Sequence, residues 1–293
     1  AERGIGTACG SYEELVSSPD VDVVYIASPH SAHAEHALLA IAAGKHVLVE
    51  KPLAATAAEA RAIADAARAA GVFAMEAMWT RYLPQADVIR QLLDRGAIGE
   101  VRTLAADFGL PAPFDPSGRL FNPDLAGGAL LDSGVYPISF ASSVLGAPTL
   151  AAATGRTAET GVDTDAQLLL DHGTATSVVA TSITASLPVR AAIMGTEGRI
   201  EVHPPFITAT GVSLITGNLW KGNLSESTWT DRTFTHPNAP LCYQADALAR
   251  YVADGRTESP LHTLEETIAI IDVIDDATDR IRTAQGIGSL ASN

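Results

Sequence analysis

The stretch His46-Val47-Leu48-Val49-Glu50-Lys51-Pro52 joins an apolar run to three residues of very different chemistry. The run has the composition of a strand that is buried on both faces. Charged residues directly after such a strand are costly unless they have partners or a ligand. Lysine is also scarce, since Lys45, Lys51 and Lys221 are the only ones in the chain. We predict that Lys51 lies at the carboxyl end of a parallel strand, where open α/β sheets bind ligands; the alternative is a plain turn with solvated charges.

Strands and helices alternate on both sides of this stretch. Thr56, with Glu59 three residues later, has the pattern of a capping box and begins an alanine-rich helix that ends at Gly71. The alternation predicts a doubly wound parallel sheet, that is, an α/β Rossmann-like dinucleotide-binding domain. The other predicted elements are the strand Val21–Ala27, the helix Ala34–Ala43, the strand His46–Val49 and the strand Val72–Met75.

After about Asp107 the pattern changes to short runs rich in Thr and Val, which favours a mainly antiparallel sheet. We therefore predict two domains: a partial dinucleotide-binding domain at 1–106 and an α+β domain with a large open sheet at 107–293. The predicted strands are Ala166–Leu170, Thr176–Ile183, Val189–Met194 and Arg199–Val202. The predicted helices are Ala129–Val144, Tyr243–Val252 and Leu264–Arg282, the last capped by Thr263.

Charge and composition exclude several classes of function. The formal net charge is −15, and an acidic surface repels phosphate backbones, so no nucleic-acid partner is expected. No apolar stretch approaches the length of a membrane span, so no membrane partner is expected either. Cys9 and Cys242 lie far apart, without the spacing of a disulfide framework or a zinc site, which fits a reducing cytoplasm.

Three motifs occur in the order of a known family. They are Ile26–His33 (IASPHSAH), then Glu50-Lys51-Pro52, then Gly127–Pro137 (GGALLDSGVYP). Together they resemble the oxidoreductase family of glucose-fructose oxidoreductase and inositol dehydrogenase. Met75–Pro84 (MEAMWTRYLP) is similar to the branch of dimeric dihydrodiol dehydrogenases and NADP-dependent D-xylose dehydrogenases. The resemblance runs from about Thr7 to the last predicted helix.

This resemblance implies a nicotinamide cofactor and a place for it. It implies that Ser28, Pro29, His30 and His33 line the pocket near the nicotinamide ribose, with Glu50 in the same wall. An imidazole at the start of a helix can hydrogen-bond a sugar hydroxyl, although a lone His is more often a structural cap. The resemblance also implies a cis peptide bond between Lys51 and Pro52.

Hydride transfer at a carbinol carbon needs a proton moved on its oxygen, by a group within about 2.6–3.2 Å. Tyr136 and Lys51 can do this together, because a neighbouring ammonium favours the phenolate form of a phenol. The resemblance implies that the lysine and the tyrosine, which is a histidine in many members of the family, flank the substrate carbon. Asp132 lies four residues before Tyr136 on the same helix face, and it can hold Lys51 or bind a substrate hydroxyl. The alternative for Tyr136 is a core tyrosine.

Trp79 and Arg81 join Lys51 among the candidate cofactor-binding residues. Positions two apart in a strand share a face, and an indole beside a guanidinium suits a flat or polyhydroxylated molecule. Trp79 could equally fill the domain interface. We expect the proline-rich loop that carries Phe108, Phe114 and Phe121 to cover the substrate mouth. No metal site is predicted, because four histidines lack metal spacing and are interpreted as structural or surface residues: His172, His203, His236 and His262.

These observations predict an NADP- or NAD-dependent dehydrogenase that acts on a secondary alcohol of a sugar, polyol or cyclic trans-diol. One alternative is a glycosidase that uses bound NAD in a redox cycle. Another is a sensor or co-repressor that binds dinucleotide without turnover, which has no need of Lys51, Asp132 and Tyr136. Helices are predicted for one face only of the second sheet, which predicts a homodimer or larger homo-oligomer built sheet to sheet.

The Gly-rich turn GxGxxG that opens a dinucleotide fold does not occur in this chain. We expect that the first βαβ unit precedes Ala1 in a longer protein. The sheet should then end beside Val21–Ala27. Because the ribose 2′ position is read in that unit, the choice between NADP and NAD stays open, and the resemblance slightly favours NADP.

Overall fold

A computed structural model describes residues 6–208, 211–233 and 239–286 of the protein. A three-stranded parallel sheet forms the first part of the chain and an eight-stranded sheet the second. Within the described ranges, no helix combines the length and the apolar character needed to cross a bilayer.

The first sheet has the order β1-β2-β3, and all of its strands run parallel. The strands are β1 (Val23–Ile26), β2 (His46–Glu50) and β3 (Ala74–Ala77). The helices of this part are α1 (Tyr12–Ser17), α2 (His33–Ala42) and α3 (Ala57–Ala70). The predicted α/β alternation is confirmed, and β1 is an edge strand of the described sheet.

The ends of α3 follow from side chains that are local in sequence. The Thr56 hydroxyl accepts the Glu59 N–H, and the Glu59 carboxylate accepts the Thr56 N–H, both at 3.2 Å. Gly71 ends the helix with φ of 66°, a left-handed conformation that glycine adopts at little cost. The predicted capping box is therefore confirmed.

The second sheet has the order β11-β10-β9-β8-β4-β7-β6-β5. Every pair is antiparallel except β4 with β7, so the prediction of a mainly antiparallel sheet is confirmed. Its strands are β4 (Val101–Gly109), β5 (Thr149–Thr157), β6 (Asp163–Asp171), β7 (Thr176–Ser182), β8 (Ala191–Gly195), β9 (Gly198–Val202), β10 (Gly211–Thr216) and β11 (Ser225–Thr230).

Helices cover one face of this sheet. They are α4 (Pro84–Asp94), α5 (Val135–Leu145) and α7 (Leu264–Ala284). Helix α6 (Cys242–Ala253) instead packs on the first sheet, where its Leu248 meets Leu48 and Phe73. Helix α5 packs on β4 and β7, and α7 packs on β5 and β6. Helix α7 also contributes Leu264, Ile268 and Ile271 to the core of the first sheet, so one helix joins the two parts.

Two features of the second part differ from the pattern in the sequence. The sequence did not predict strands β4, β5, β10 and β11 or helix α4. Strand β5 is rich in Ala and Thr, and β11 is exposed along its whole length, so neither has a clear hydrophobic pattern. Strand β4 begins at Val101, so the predicted boundary between residues 106 and 107 falls inside this strand.

Candidate active site

Lys51 follows the last residue of β2, and the Lys51–Pro52 peptide bond is cis, as predicted. The Lys51 ammonium donates to the backbone oxygen of Asp132 at 2.6 Å and to its carboxylate at 3.1 Å. Only 13% of the Lys51 side chain is exposed. An ammonium has three N–H groups, and two have acceptors among the described residues, so one is left for a ligand oxygen.

Asp132 lies in the turn of π-helix Leu130–Gly134 that leads into α5. Burial alone would raise the pKa of its carboxyl, but the charge of Lys51 and the hydrogen bond from Arg119 hold that pKa below its ordinary value. The Arg119 guanidinium donates to the same carboxylate oxygen at 2.8 Å. Asp132 therefore stays ionised at neutral pH and holds two cations together.

Tyr136 lies one helical turn beyond Asp132 and is 9% exposed. Its hydroxyl oxygen accepts the indole N–H of Trp79 at 3.2 Å, and the Lys51 ammonium lies 5.1 Å from its ring centroid. Phe108 packs edge-on against the phenol ring. The structure thus brings Lys51, Asp132 and Tyr136 together, as the sequence predicts.

The pKa of Tyr136 differs from the expectation drawn from its neighbours. The charge of Lys51 favours the phenolate form, as predicted, and so does the Trp79 hydrogen bond, which was not predicted. Burial acts in the opposite direction and is the larger effect, so the pKa of Tyr136 lies above its ordinary value. The phenol is consequently protonated at neutral pH in the free protein.

A cleft of about 380 Å³ opens beside Lys51, at the carboxyl ends of β1 and β2. Ser28, Pro29, His30, His33 and Glu50 line it, as the sequence predicts. Burial, and then the charge of Lys51, lower the pKa of His30 to about 4, so this ring is neutral.

The neutral His30 ring has a defined polarity. Its Nδ1 lies 3.1 Å from the backbone oxygen of Ala126, and a carbonyl oxygen only accepts. We therefore assign the ring proton to Nδ1, which leaves Nε2 as an acceptor. Glu50 offers further acceptors, although one of its oxygens accepts the Tyr25 hydroxyl.

His33 has contacts different from those predicted. Its side chain is fully buried, and its two ring nitrogens lie 2.8 Å from the Pro52 oxygen and 2.9 Å from the Ser28 oxygen. His33 lies in the cleft wall, but both of its ring nitrogens face backbone groups and not the cleft. The hydrogen bond to a sugar hydroxyl was predicted from position alone, and a buried ring with two backbone partners has no nitrogen left for it.

Arg81 lies outside the cleft. Trp79–Tyr82 is a 3₁₀ helix and not a strand, so residues 79 and 81 do not share a face. The Arg81 guanidinium donates to the Ser139 hydroxyl at 2.9 Å and to the Glu266 carboxylate at 2.6 Å, and its side chain is 7% exposed. The prediction that Trp79 and Arg81 share a face is therefore wrong. The helical turn directs Trp79 to Tyr136 and Arg81 to Glu266 on α7.

Two residues of the site were missed from the sequence. Arg119 reaches Asp132 from the proline-rich loop, and Tyr25 reaches Glu50 from β1. The loop itself was expected at the substrate mouth, and Arg119 and Leu125 do line the cleft. The signal for Arg119 was its place in that loop, whereas nothing in the sequence separates Tyr25 from a core tyrosine.

The remaining histidines were interpreted as structural. His172 lies 2.8 Å from the Gly146 oxygen, His203 lies 2.9 Å from the Ser213 hydroxyl, and His262 is buried against Glu76. His236 lies outside the described residues. Within residues 6–208, 211–233 and 239–286, no three His, Cys, Asp or Glu side chains are grouped so as to hold a metal ion.

Comparison with known proteins gives two family matches. Residues 2–78 match the oxidoreductase family with an NAD-binding Rossmann fold, and residues 87–201 match the GFO/IDH/MocA C-terminal domain. The two matches lie in the first and second parts of the chain, in the order of the two sheets.

Individual relatives cover most of the chain. Trans-1,2-dihydrobenzene-1,2-diol dehydrogenase of Xenopus laevis is 35% identical over 282 residues, which are 95% of this chain and 84% of that protein. D-xylose 1-dehydrogenase (NADP(+)) of Hypocrea jecorina is 34% identical over 294 residues, covering 92% of this chain and 75% of that protein.

A solved structure matches over a similar extent. A 3-ketoreductase from Actinomadura kijaniata, in complex with NADP and TDP-benzene, superposes with a TM-score of 0.81 and 28% identity. The match covers 96% of this chain and 84% of that chain. From the family matches, the relatives and the arrangement of Lys51, Asp132 and Tyr136, we conclude that the chain belongs to the GFO/IDH/MocA family of NAD(P)-dependent oxidoreductases.

Proposed function

We propose that the protein oxidises one secondary hydroxyl of a sugar or a cyclic trans-diol by hydride transfer to a nicotinamide cofactor. The observation that carries this proposal is the grouping of Lys51, Asp132 and Tyr136 beside a cleft at the strand ends. The diol and xylose substrates in the names of the relatives support the substrate class.

The polar groups in the cleft fit the ribose end of a dinucleotide. Glu50 and Nε2 of His30 accept hydrogen bonds, and ribose hydroxyls donate them. Ser28, Pro29, His30 and Glu50 would hold the cofactor there, next to Lys51. When bound, the nicotinamide ring supplies the hydride acceptor for the alcohol carbon. We favour NADP over NAD, because NADP occurs in the names of the xylose dehydrogenase and the ketoreductase complex.

Tyr136 accepts the proton of the alcohol, and Lys51 helps to stabilise the phenolate that accepts it. A phenolate at Tyr136 accepts it, and the Trp79 N–H with the Lys51 charge stabilise that phenolate. Since burial raises the pKa of Tyr136, the phenolate fraction grows on the alkaline side of neutrality. Oxidation should therefore accelerate with rising pH, whereas reduction uses the protonated phenol that dominates at neutral pH.

Asp132 and Arg119 orient the substrate. Asp132 fixes the Lys51 ammonium so that its remaining N–H can reach the substrate oxygen. The Arg119 guanidinium is 62% exposed and has donors beyond the one bound to Asp132, so it can bind a second hydroxyl of the substrate. This division of roles suits a substrate with neighbouring hydroxyls.

A substrate panel tests the proposal directly. Pentoses, hexoses, inositols and trans-dihydrodiols are offered with NAD and with NADP, and formation of reduced cofactor is followed. We expect turnover with a pentose or a trans-diol. Release of an aglycone without net reduced cofactor would instead identify a glycosidase with a redox cycle. Tight dinucleotide binding without turnover of any alcohol would identify a sensor.

We also propose that the protein is a homodimer joined through the open face of the second sheet. On that face Leu169 pairs with Val178, and Ala105 and Ala192 continue the row across β4 and β8. Leu169 and Val178 are 40% and 51% exposed, and α5 and α7 cover the opposite face. An apolar row of this kind favours a partner with the same surface.

Light scattering tests this assembly. We expect a dimeric mass at micromolar concentration, and a monomer after Val178→Lys. The matched control is Tyr12→Lys, a similarly exposed apolar side chain on α1 of the first part (56% exposed), which should stay dimeric. A monomeric wild-type protein would contradict the proposal.

We propose a cytoplasmic location. Cys9 and Cys242 are both free thiols, which a reducing compartment maintains. Cell fractionation with a cytoplasmic marker enzyme checks this, and recovery with an exported fraction would contradict it.

A further inference from the structure

Two buried side chains hold the peptide group between Pro52 and Leu53. His33 Nδ1 lies 2.8 Å from the Pro52 carbonyl oxygen, and Glu76 accepts the Leu53 N–H at 2.9 Å. His33 is fully buried and Glu76 is 1% exposed. We assign the His33 ring proton to Nδ1, so both polar groups of this one peptide are bound by side chains, outside any helix or sheet ladder.

The two holding side chains are themselves fixed. The second nitrogen of His33 lies 2.9 Å from the Ser28 oxygen. The second oxygen of Glu76 lies 2.5 Å from His262 Nε2 and accepts the Thr267 hydroxyl at 3.3 Å. A carboxylate in a fully buried strand is costly, so its three hydrogen-bond partners, Leu53, His262 and Thr267, mark it as part of a built arrangement.

This peptide is adjacent to the residue on which the proposed chemistry depends. Lys51 is joined directly to Pro52, and its ammonium must meet Asp132 at 2.6 and 3.1 Å. The lysine side chain is long and flexible, so the position of its ammonium depends on the position of the Lys51 backbone. A displacement of about 1 Å at a reacting group can cost on the order of 100-fold in rate.

We infer that Glu76 and His33 are positioning residues for Lys51, acting from the two sides of the Pro52–Leu53 peptide. Neither residue touches the reacting atoms. Because His262 and Thr267 belong to the segment that begins α7, the position of Lys51 also depends on the packing of α7 against the first sheet. The kinetic part of this inference rests on the proposed function, whereas the geometric part does not.

Two substitutions at residue 76 test the inference by kinetics. Glu76→Met has nearly the same length but no acceptor, and we expect kcat to fall roughly 10- to 100-fold with KM little changed. Glu76→Gln keeps an oxygen for the Leu53 N–H and should restore kcat to within about 3-fold of wild type. Should Glu76→Met fail to fold, Glu76→Asp takes its place, because the shorter side chain moves the acceptor away from the Leu53 N–H by one methylene.

The matched control is Glu266→Gln. Glu266 belongs to the same buried network, with Arg81, Ser142 and His262 as its neighbours, but it does not contact the Pro52–Leu53 peptide. This variant should melt at a lower temperature while kcat stays within about 2-fold of wild type. An equal loss of kcat in Glu266→Gln and Glu76→Met would mean that general destabilisation, and not positioning, lowers the rate.

A spectroscopic readout separates this inference from the proposed function. The chain has three lysines, so NMR of lysine labelled at the ε carbon gives three signals, and loss of one in Lys51→Met assigns Lys51. In Glu76→Met, and in Glu76→Asp if that variant is used, the Lys51 signal should move toward that of a solvated lysine, and in Glu76→Gln it should not. The same result in a protein without dehydrogenase activity would support positioning while the proposed function fails. A Lys51 signal that is unchanged in all variants would overturn the inference.

Discussion

Two clusters of charged side chains lie near the junction of the two sheets, and they differ in how many of their charged groups are free to bind a ligand. In the open cluster, Asp132 binds Lys51 and Arg119 beside the cleft. In the closed cluster, Glu266 binds Arg81 and accepts the Ser142 hydroxyl, away from the cleft. The Arg119 side chain is 62% exposed, whereas that of Arg81 is 7% exposed.

The same residue types therefore serve ligand binding or stability, depending on whether any of their N–H groups lack a partner inside the protein. Arg81 has its donors directed to Ser139, Leu261 and Glu266, all within the protein. Lys51 and Arg119 retain N–H groups toward the cleft, where a ligand oxygen can replace water. We therefore expect substitutions in the open cluster to change catalysis and those in the closed cluster to change stability.

The largest expected effect is on turnover in the open cluster. Lys51→Met and Tyr136→Phe should each lower kcat by roughly 10²–10⁴-fold, the range for positioned acid–base groups. Steady-state kinetics with the substrate found in the panel measures this, and thermal melting shows that the fold is kept.

Matched controls come from the same residue types elsewhere. Lys45→Met removes a lysine that donates to the Ser18 oxygen, and Tyr82→Phe removes a phenol that donates to Ser259. Both controls should keep their turnover. Near-normal turnover in Tyr136→Phe would leave Lys51 alone as the proton carrier.

The next effect is on stability in the closed cluster. Arg81→Met leaves the Glu266 carboxylate without its guanidinium partner, and breaking a buried pair typically costs about 3–5 kcal/mol. Urea denaturation should show a loss of about 3 kcal/mol in the free energy of unfolding, since Glu266 is partly exposed. Cofactor KM should stay near that of wild type. A raised cofactor KM with unchanged stability would restore the binding role predicted for Arg81 from the sequence.

Two carboxyl groups, those of Glu266 and Asp163, should contribute to the free energy of unfolding with opposite dependence on pH. Burial would raise the pKa of Glu266, but hydrogen bonding with His262 and the charge of Arg81 lower it to about 2, so its contribution is lost only as pH falls below about 4. Burial raises the pKa of Asp163 to about 6. Because that folded-state pKa lies above the unfolded value, the contribution of Asp163 is present at low pH and is lost as pH rises through 6.

Asp163→Asn isolates the second effect. Asp163 accepts the Leu130 N–H at 2.7 Å, at the start of the turn that carries Asp132, and an Asn oxygen can do the same. Between pH 4.5 and 7.5 the wild type should lose about 2 kcal/mol of unfolding free energy that the variant does not lose. Asp275 also has a raised pKa, so the difference between the two proteins is the quantity to compare. Parallel pH profiles would contradict the assignment.

The smallest effect is expected at the rim of the open cluster. Arg119→Gln should raise the substrate KM by less than about 10-fold, since exposed ion pairs contribute about 0–1 kcal/mol. Arg102→Gln is the matched control, because Arg102 has a similar exposure of 60% and pairs with Glu100 on the second sheet. Equal kinetics of Arg119→Gln and wild type would remove Arg119 from the substrate site.

Local patterns in the sequence were sufficient for much of the first sheet. The capping box of Thr56 with Glu59 and the end of α3 at Gly71 depend on hydrogen bonds within a few residues, so they could be predicted. The four-residue spacing of Asp132 and Tyr136 likewise placed them on one side of a helical segment. Strand β11 could not be predicted, because an exposed edge strand carries little hydrophobic pattern.

The sequence by itself determined the alternation of strands and helices around the first sheet, the mainly antiparallel character of the second, the grouping of Lys51 with Asp132 and Tyr136, and an oxidoreductase family. Only the tertiary structure decided that His33 contacts the backbone oxygen of Pro52, that Arg81 pairs with Glu266 across 185 positions of the chain, and that burial raises the pKa of Tyr136. The reason is physical. Periodicity and caps arise from neighbours along the chain, whereas burial and charge partners arise from segments that meet only when the two sheets and α7 pack together.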